Sequence, residues 1–573
     1  MTTNEKRLFE LKQNFLGTVN QVDTRTVSIF VNSNEDLLKA KIGHLISIKL
    51  SSTIAKYSIA IIESIRKATK SNSGTNSEES EEGGEPDINS VKAVLVGELT
   101  IPEKTKSFTR SLSTIPEIDS RCYVIVDNTL TKFMSLLVDQ TDSNVSFEIG
   151  KFSLSPTATA SIEGNKFFQR HAALVGSTGT GKSWTVASIL EKADKLKSSN
   201  LIVFDLHGEY QSLSYAKHIR IPGPDELEKN DPHLLFLPYW VMNAEELQTM
   251  FIDRSEFTAH NQVMAFQDAV ILKKRELLEK LKKTEILDNF TIDSPIPFNL
   301  TDVMDLLRDL NEEMIEGSRG LKQGTFFGQF SRLLVRMRSK ISDRRYGFLF
   351  QAPAESKKYT YMGKIVQKLM DFTDEHSQIK IIDFSEVPED ILPIIVGLVA
   401  RIIYQIQFWT SADERHPIVF VCDEAHLYIS KKEGLNPIEK RAVEIFEKIA
   451  KEGRKYGVAL FIISQRPSDV SESILSQCNN IISLRLANNT DQLAVKRFMP
   501  ESLEGLMDSL PILDIGEAIV VGDSILLPSK IRIDKPTQEP LSSTIDIWTE
   551  WSKDQSRPDY QKIVENLRKQ SRK

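Results

Sequence analysis

The sequence predicts an α/β chain. A core of parallel strands and helices follows a small antiparallel β-barrel and is interrupted by a helical insertion. Three observations predict it. Apolar runs at 172–175, 201–204, 379–384, 417–422 and 458–464 are short and continuous, as strands buried on both faces are. Residues up to 150 carry shorter β-like runs separated by turn formers. Between 232 and 345 the apolar residues recur at three-to-four spacing instead.

Composition narrows the class. The 573 residues are 40% hydrophobic and 26% charged, enough for a substantial core in several domains. No run of eighteen apolar residues is apparent, and the first fifteen residues lack an apolar secretory core, so no membrane contact and a cytoplasmic location are expected. Cys122, Cys422 and Cys478 lie far apart without metal-ligand spacing and read as buried thiols. A formal charge of −7 gives no global support for nucleic-acid binding, although a pore or groove needs only local positive charge.

The barrel is expected over 1–155, with strands at 15–19, 26–31, 45–50, 58–65, 91–99 and 123–126. Residues 70–89 are acidic and rich in glycine and serine, which suits a flexible inter-strand loop; a lure for a basic partner is the other reading.

The core is expected at 156–231 and 346–533, split by the helical insertion at 232–345. Its first strand, 172–175, enters the loop GSTGTGKS. Gly176, Ser177, Thr178, Gly179, Thr180 and Gly181 fit a phosphate cradle, because backbone N–H groups must approach phosphates where side chains would block them. Lys182 can reach the β- and γ-phosphates of ATP, and Ser183 can offer its hydroxyl to Mg²⁺. Trp184 follows at the start of the helix and is counted with the nucleotide-binding residues. The second strand ends in Asp205, His207 and Glu209, which are site candidates at a parallel strand's carboxyl end; a His207-Gly208 turn capped by Glu209 is the alternative.

The insertion carries two basic clusters. Lys273, Lys274 and Arg275 sit among acidic residues and read as a solvated face. Arg332, Arg336, Arg338, Lys340, Arg344 and Arg345 form a purer cluster, a candidate contact for DNA phosphates or a neighbouring subunit.

The second part of the core carries PIVFVCDEAH at 417–426. Asp423 is placed to join the Mg²⁺ shell and Glu424 to orient or deprotonate the attacking water. Lys431 and Lys432 follow as pore-contact candidates or a solvated pair. Gln465, at the end of the 458–464 strand, can sense a γ-phosphate because its amide both donates and accepts. Arg454 and Arg466 are candidates for the positive charge that a ring ATPase supplies in trans. Residues 510–522 read as a hairpin and 528–533 as a last strand. The polar tail, 534–573, sets Trp548, Trp551 and Tyr560 among charges, either to dock on a neighbour or to pack on the chain's own surface.

Taken together, GSTGTGKS, DLHGEY (205–210), LPYWVMNAEEL (237–247), IDFSEVPEDILP (382–393), CDEAH (422–426), EGRKYG (452–457) and SQRPSDV (464–470) resemble the HerA family, within the HerA/FtsK branch of ASCE-type ATPases. The resemblance covers 160–533. It implies a RecA-like ASCE P-loop NTPase core behind a HAS-barrel, a homo-hexameric ring with ATP at subunit interfaces, and a helicase or translocase acting on double-stranded DNA. It implies roles for Lys182 and Ser183 at phosphate and Mg²⁺, Asp423 and Glu424 at Mg²⁺ and water, Gln465 as sensor and Arg454 as trans arginine finger. The partner it implies is a nuclease of the NurA type, or a sirtuin-like or other effector in phage defence, docking on the barrel. A scaffold that assembles and activates an effector without processive unwinding is the alternative.

Overall fold

A computed structural model describes residues 9–50, 55–68, 88–101, 107–137, 146–317, 320–374, 376–432, 434–497, 507–525, 527–542, 547–553 and 558–569. The chain forms two compact units. Unit 1 comprises Met1–Ile189, Gln465–Ser468 and Cys478–Pro536, and unit 2 comprises Leu190–Ser464, Asp469–Gln477 and Thr537–Lys573.

Unit 1 begins with β1 (Phe15–Val22), β2 (Thr26–Val31), β3 (Leu45–Lys49), β4 (Ala55–Ala68), β5 (Ile88–Ile101), β6 (Ser107–Thr109) and β7 (Arg121–Ile125). They form one antiparallel sheet in the order β2-β1-β7-β3-β4-β5-β6. A further pairing of β2 with β5, from Thr26 opposite Val94 to Val31 opposite Asn89, closes the sheet into a six-stranded barrel that leaves β6 outside. Closure removes the exposed edges that a small sheet would present. The pleat explains the interior. Along β2, Val27, Ile29 and Val31 are buried while Thr26, Ser28 and Phe30 between them are partly exposed, and the buried set joins Leu16, Ile46, Ile62 and Val124 in one apolar core. Gly17 admits the closest approach, since a Cβ there would lie 2.1 Å from the Phe30 carbonyl oxygen. The acidic segment expected as a loop at 70–89 lies outside the described residues, apart from its last two, which begin β5.

The chain continues through β8 (Ser146–Phe152), β9 (Ser155–Glu163) and β10 (Ala172–Val175). It passes into unit 2 with β11 (Leu201–Asp205), β12 (Lys217–Arg220), the hairpin β13 (Met314–Gly317) and β14 (Gly320–Gln323), β15 (Ile379–Asp383), β16 (Ile418–Cys422) and β17 (Val458–Ser464). It returns to unit 1 with β18 (Asn480–Ser483), β19 (Glu517–Gly522) and β20 (Ser529–Ile533). In unit 1, β10 pairs in parallel with β18, and β19, β20, β8 and β9 follow in antiparallel succession. The hairpin expected at 510–522 is displaced. Leu510–Ile512 is a 3-10 turn, and β19 pairs with β20 instead. Pro511 cannot donate to a ladder, and Gly516 at φ +77° turns the chain into β19.

In unit 2, β12, β15, β11, β16 and β17 pair in that order, all in parallel. Every residue of β11, β15 and β17 is buried, which is why these strands read as unbroken apolar runs. The inserted helices include Ala244–Phe251, Ala259–Lys280, Leu300–Glu312 and Ser331–Ser342. Ala244–Phe251 starts in a capping box in which Asn243 and Glu246 satisfy each other's backbone N–H. The chain is thus α/β, with parallel strands buried between helices, an N-terminal β-barrel and an inserted helical subdomain.

One helix tests the hydropathy reading. Leu392–Trp409, with mean hydropathy 1.5, is long and apolar enough to cross a membrane, yet 72% of it is buried inside the protein. Arg401 lies within it and forms a buried, bidentate pair with Glu246, with both contacts at 2.7 Å. The packing is that of a core helix.

The purer basic cluster is engaged within unit 2. Arg336 pairs with Glu256 at 2.5 Å and donates to the Phe251 carbonyl, Lys340 pairs with Asp390 at 3.0 Å, and Arg345 pairs with Asp343 at 2.7 Å. Arg332 extends from the same helix face with its side chain 82% exposed. On the tail, Trp548, Trp551 and Tyr560 are exposed rather than packed on the chain's own surface.

Candidate nucleotide-binding site

The phosphate loop lies in unit 1, between buried β10 and the helix Lys182–Asp194. Its shape follows from its glycines. A Cβ on Gly176 would lie 2.7 Å from Leu484 Cβ, and Gly181 holds φ at +98°, a conformation that side chains disfavour. The loop is also tied down. The Ser177 N–H donates to the Arg485 carbonyl at 2.9 Å, Thr180 Oγ1 donates to the Ser177 carbonyl at 2.7 Å, and the Gly516 N–H donates to the Thr180 carbonyl at 3.2 Å. Lys182 is buried with Nζ 3.4 Å from the Ser177 carbonyl, which keeps its ammonium at the loop. Thr178 and Gly179 are exposed and Ser183 is partly buried at the head of the helix. The indole of Trp184 lies beneath Lys535, whose Nζ is 5.9 Å from the ring centroid.

Gln465 belongs to the same unit. Its Oε1 accepts a hydrogen bond from Thr178 Oγ1 at 2.5 Å. Gln465 and the loop therefore meet directly.

The acidic half lies in unit 2, at the carboxyl ends of β11 and β16. Asp423 and Glu424 are both buried, and the Glu424 N–H donates to Asp423 Oδ1 at 2.9 Å. Glu424 has φ +44° and ψ +42°, a left-handed conformation that a side chain tolerates only when its surroundings impose it. Glu424 Oε2 lies 3.3 Å from His426 Nδ1, which is 3.5 Å from Ser464 Oγ. Burial, and then the carboxylates of Glu424, Glu209 and Asp205, push Asp423 well above the usual carboxylate range. Tyr210 is buried beside it.

Asp205 plays a different part from the one its position suggests. Its Oδ1 accepts from the N–H groups of His207, Gly208 and Glu209, and its Oδ2 accepts from that of Tyr210 at 3.0 Å. Asp205 therefore holds the turn, and Glu209 does not cap it. Burial raises Asp205 to about 6 despite those donors. Glu209 is left partly exposed, and His207 points to solvent.

Arg454 is exposed on the 3-10 turn Gly453–Tyr456 of unit 2, and Arg466 is exposed in unit 1. Lys431 is ion-paired with Glu472 at 2.5 Å, while Lys432 is exposed. Sequence reasoning missed His426, Lys535, Gly516 and Arg485. Only His426 carried a usable signal, two positions after Glu424. The others reach the loop from later parts of the chain.

The residues present fit ATP and Mg²⁺. The Gly176 cradle is one that a Cβ would fill. In unit 2, Asp423 and Glu424 are buried carboxylates side by side, with Glu209 and Asp205 near Asp423, a concentration of negative charge that a divalent cation relieves. Among the described residues no group of three or more His, Cys, Asp or Glu could hold a metal by itself.

Comparison with known proteins gives concordant matches. Residues 147–403 match the family model described as "Helicase HerA, central domain", and 407–530 match "Helicase HerA-like C-terminal". The DNA double-strand break repair helicase HerA of Saccharolobus solfataricus is 28% identical over 393 residues, covering 67% of this chain and 68% of the relative. Its namesake in Pyrococcus furiosus is 26% identical over 426 residues, covering 68% and 70%. Among solved structures, VirB4 of Thermoanaerobacter pseudethanolicus aligns with 69% of this chain and 98% of its own, at 17% identity and a TM-score of 0.44.

Proposed function

Because the chain belongs to the HerA family, we propose that it is an ATP-hydrolysing ring motor that translocates or unwinds double-stranded DNA. The observation that carries this reading is Glu424, buried in a left-handed conformation against Asp423 at the end of β16. Relatives that share this core are named DNA repair helicases.

In this reading the Gly176–Gly181 backbone and Lys182 hold the ATP phosphates, Trp184 flanks the nucleotide, and Ser183 and Asp423 hold Mg²⁺. The metal supplies charge neutralisation for phosphoryl transfer. Glu424 takes the proton of the attacking water, and its fixed backbone aims the carboxylate. Gln465 orients that water through its amide. Arg454 of the neighbouring subunit in a homo-hexamer completes the charge; its exposed position on a short turn leaves it available to a neighbour.

The barrel is the docking site we assign to a nuclease or to a sirtuin-like or other effector, in DNA end processing or antiviral defence. The buried thiols of Cys122, Cys422 and Cys478 suit the reducing cytoplasm we assign to the protein.

DNA-stimulated ATPase and duplex binding test the motor. Wild-type protein is expected to hydrolyse ATP faster with duplex DNA and to lose DNA affinity steeply with added salt. Lys182→Ala is expected to abolish turnover. Full activity in that variant overturns the site, and ATPase that appears only with an effector favours an assembly scaffold over a motor.

A further inference from the structure

Unit 1 holds a cavity of about 270 Å³, remote in sequence from every residue assigned to ATP. Its wall is chiefly apolar, formed by Leu45, Ile61, Val94 and Ile125 of the barrel strands, Leu130 of the helix Asp127–Leu137 and Phe152 of β8. Proteins bind small molecules in cavities of this kind, where an apolar lining carries a few placed polar groups.

Of the uncharged polar side chains on the wall, Ser155 donates to Asp127 and Ser529 to the Leu527 carbonyl, and the polar group that stands out is His44. It lines the cavity and is only 7% exposed. Neither Nδ1 nor Nε2 has a hydrogen-bond partner in the protein. The Lys39 carbonyl faces the ring without reaching hydrogen-bond geometry, and burial holds the imidazole towards its neutral form. A neutral imidazole offers one donor and one acceptor. Buried polar atoms normally have partners, so an orphaned ring in an apolar cavity marks a contact that the chain itself does not supply.

The charged side chains on the wall are already committed. Glu63 pairs with Lys92 at 2.8 Å, and Lys530 pairs with Glu517 at 2.9 Å. The cavity therefore has no free charge with which to select an ion.

We propose that this cavity is a binding site for a neutral, mostly apolar small molecule of single- or fused-ring size whose one hydrogen-bonding group is read by His44. The assignment is independent of the ATPase reading, because none of the residues that line the cavity is assigned to ATP.

Phenol, indole and toluene test it on the full chain, by calorimetry and by the ¹⁵N signals of the His44 imidazole. Saturable binding of all three is expected, with phenol shifting the His44 ring nitrogens and toluene leaving them nearly unmoved. His44→Leu is expected to weaken phenol about tenfold while toluene changes little. Val94→Phe, which fills the cavity, is expected to abolish all three. Should either variant fail to fold, the ¹⁵N response of the wild-type protein decides alone. No saturable binding of any probe up to about 10 mM, or phenol binding that leaves the His44 nitrogens unmoved, overturns the proposal. Equal losses of phenol and toluene in His44→Leu overturn it as well.

Discussion

Thr178 Oγ1 donates a 2.5 Å hydrogen bond to Gln465 Oε1, a contact within unit 1 between the tip of the phosphate loop and the residue that follows Ser464. The Gln465 amide is the group we propose to meet a γ-phosphate or a water poised against it, because it can both donate and accept. Gln465→Ala is expected to lower the ATPase kcat by about 10²-fold with a much smaller change in KM, the pattern of a group that acts in the transition state. Thr178→Val keeps the loop's shape and removes the bond, and is expected to lower kcat by about 10-fold. Steady-state ATPase assays check both. Unchanged kcat in both variants removes Gln465 from the mechanism.

Arg454 offers a test that separates in-cis from in-trans roles. Arg454→Ala is expected to bind ATP nearly as well as the wild type while losing turnover by about 10³-fold or more. Subunits carrying Glu424→Gln keep Arg454 but lack the group that takes the proton. In the proposed ring, mixing places some intact interfaces together, so partial activity is expected to return. Mixed rings that assemble and stay inactive point to Arg466 instead.

Much of this architecture was legible because short-range chemistry dictated it. The glycines of GSTGTGKS can serve only a loop that backbone must approach closely, and the structure puts Gly176 against Leu484. The unbroken apolar run at 458–464 is too short for a core helix and fits a strand buried on both faces, which β17 is. What stayed hidden depends on partners distant in sequence. Asp205 looked like a ligand because strand-end carboxylates often are, yet its oxygens are occupied by four backbone N–H groups of the turn that follows. Arg336 looked like part of a binding face because Glu256 lies eighty residues before it. The hairpin at 510–522 failed for a local reason, since Pro511 delays the strand until Glu517.

The pair between Arg401 and Glu246 ties the long core helix to the insertion inside unit 2. Glu246→Gln leaves a guanidinium buried without a countercharge, and a loss of about 3–5 kcal/mol is expected. Replacing both partners, Glu246→Leu with Arg401→Met, is expected to recover most of that loss, because no charge is then stranded. Urea denaturation of the single and double variants measures the difference. A double variant no more stable than Glu246→Gln would show that the pair contributes more than mutual neutralisation.

Lys380 on β15 is fully buried, with Nζ 2.8 Å from Asn200 Oδ1. Burial, reinforced by Lys217, lowers its pKa to about 7. Between that value and the ordinary lysine range the unfolded chain carries a proton on this side chain that the folded chain has released. The unfolded state then binds more protons, so stability rises with pH across that window. One proton corresponds to about 1.4 kcal/mol per pH unit. Relative to Lys380→Met, the wild type is expected to gain about 2 kcal/mol more stability between pH 7 and 9. Other titrating groups are common to both proteins and cancel in the comparison. Parallel stability curves over that range would mean that Lys380 stays protonated in the folded state, held by the Asn200 carbonyl.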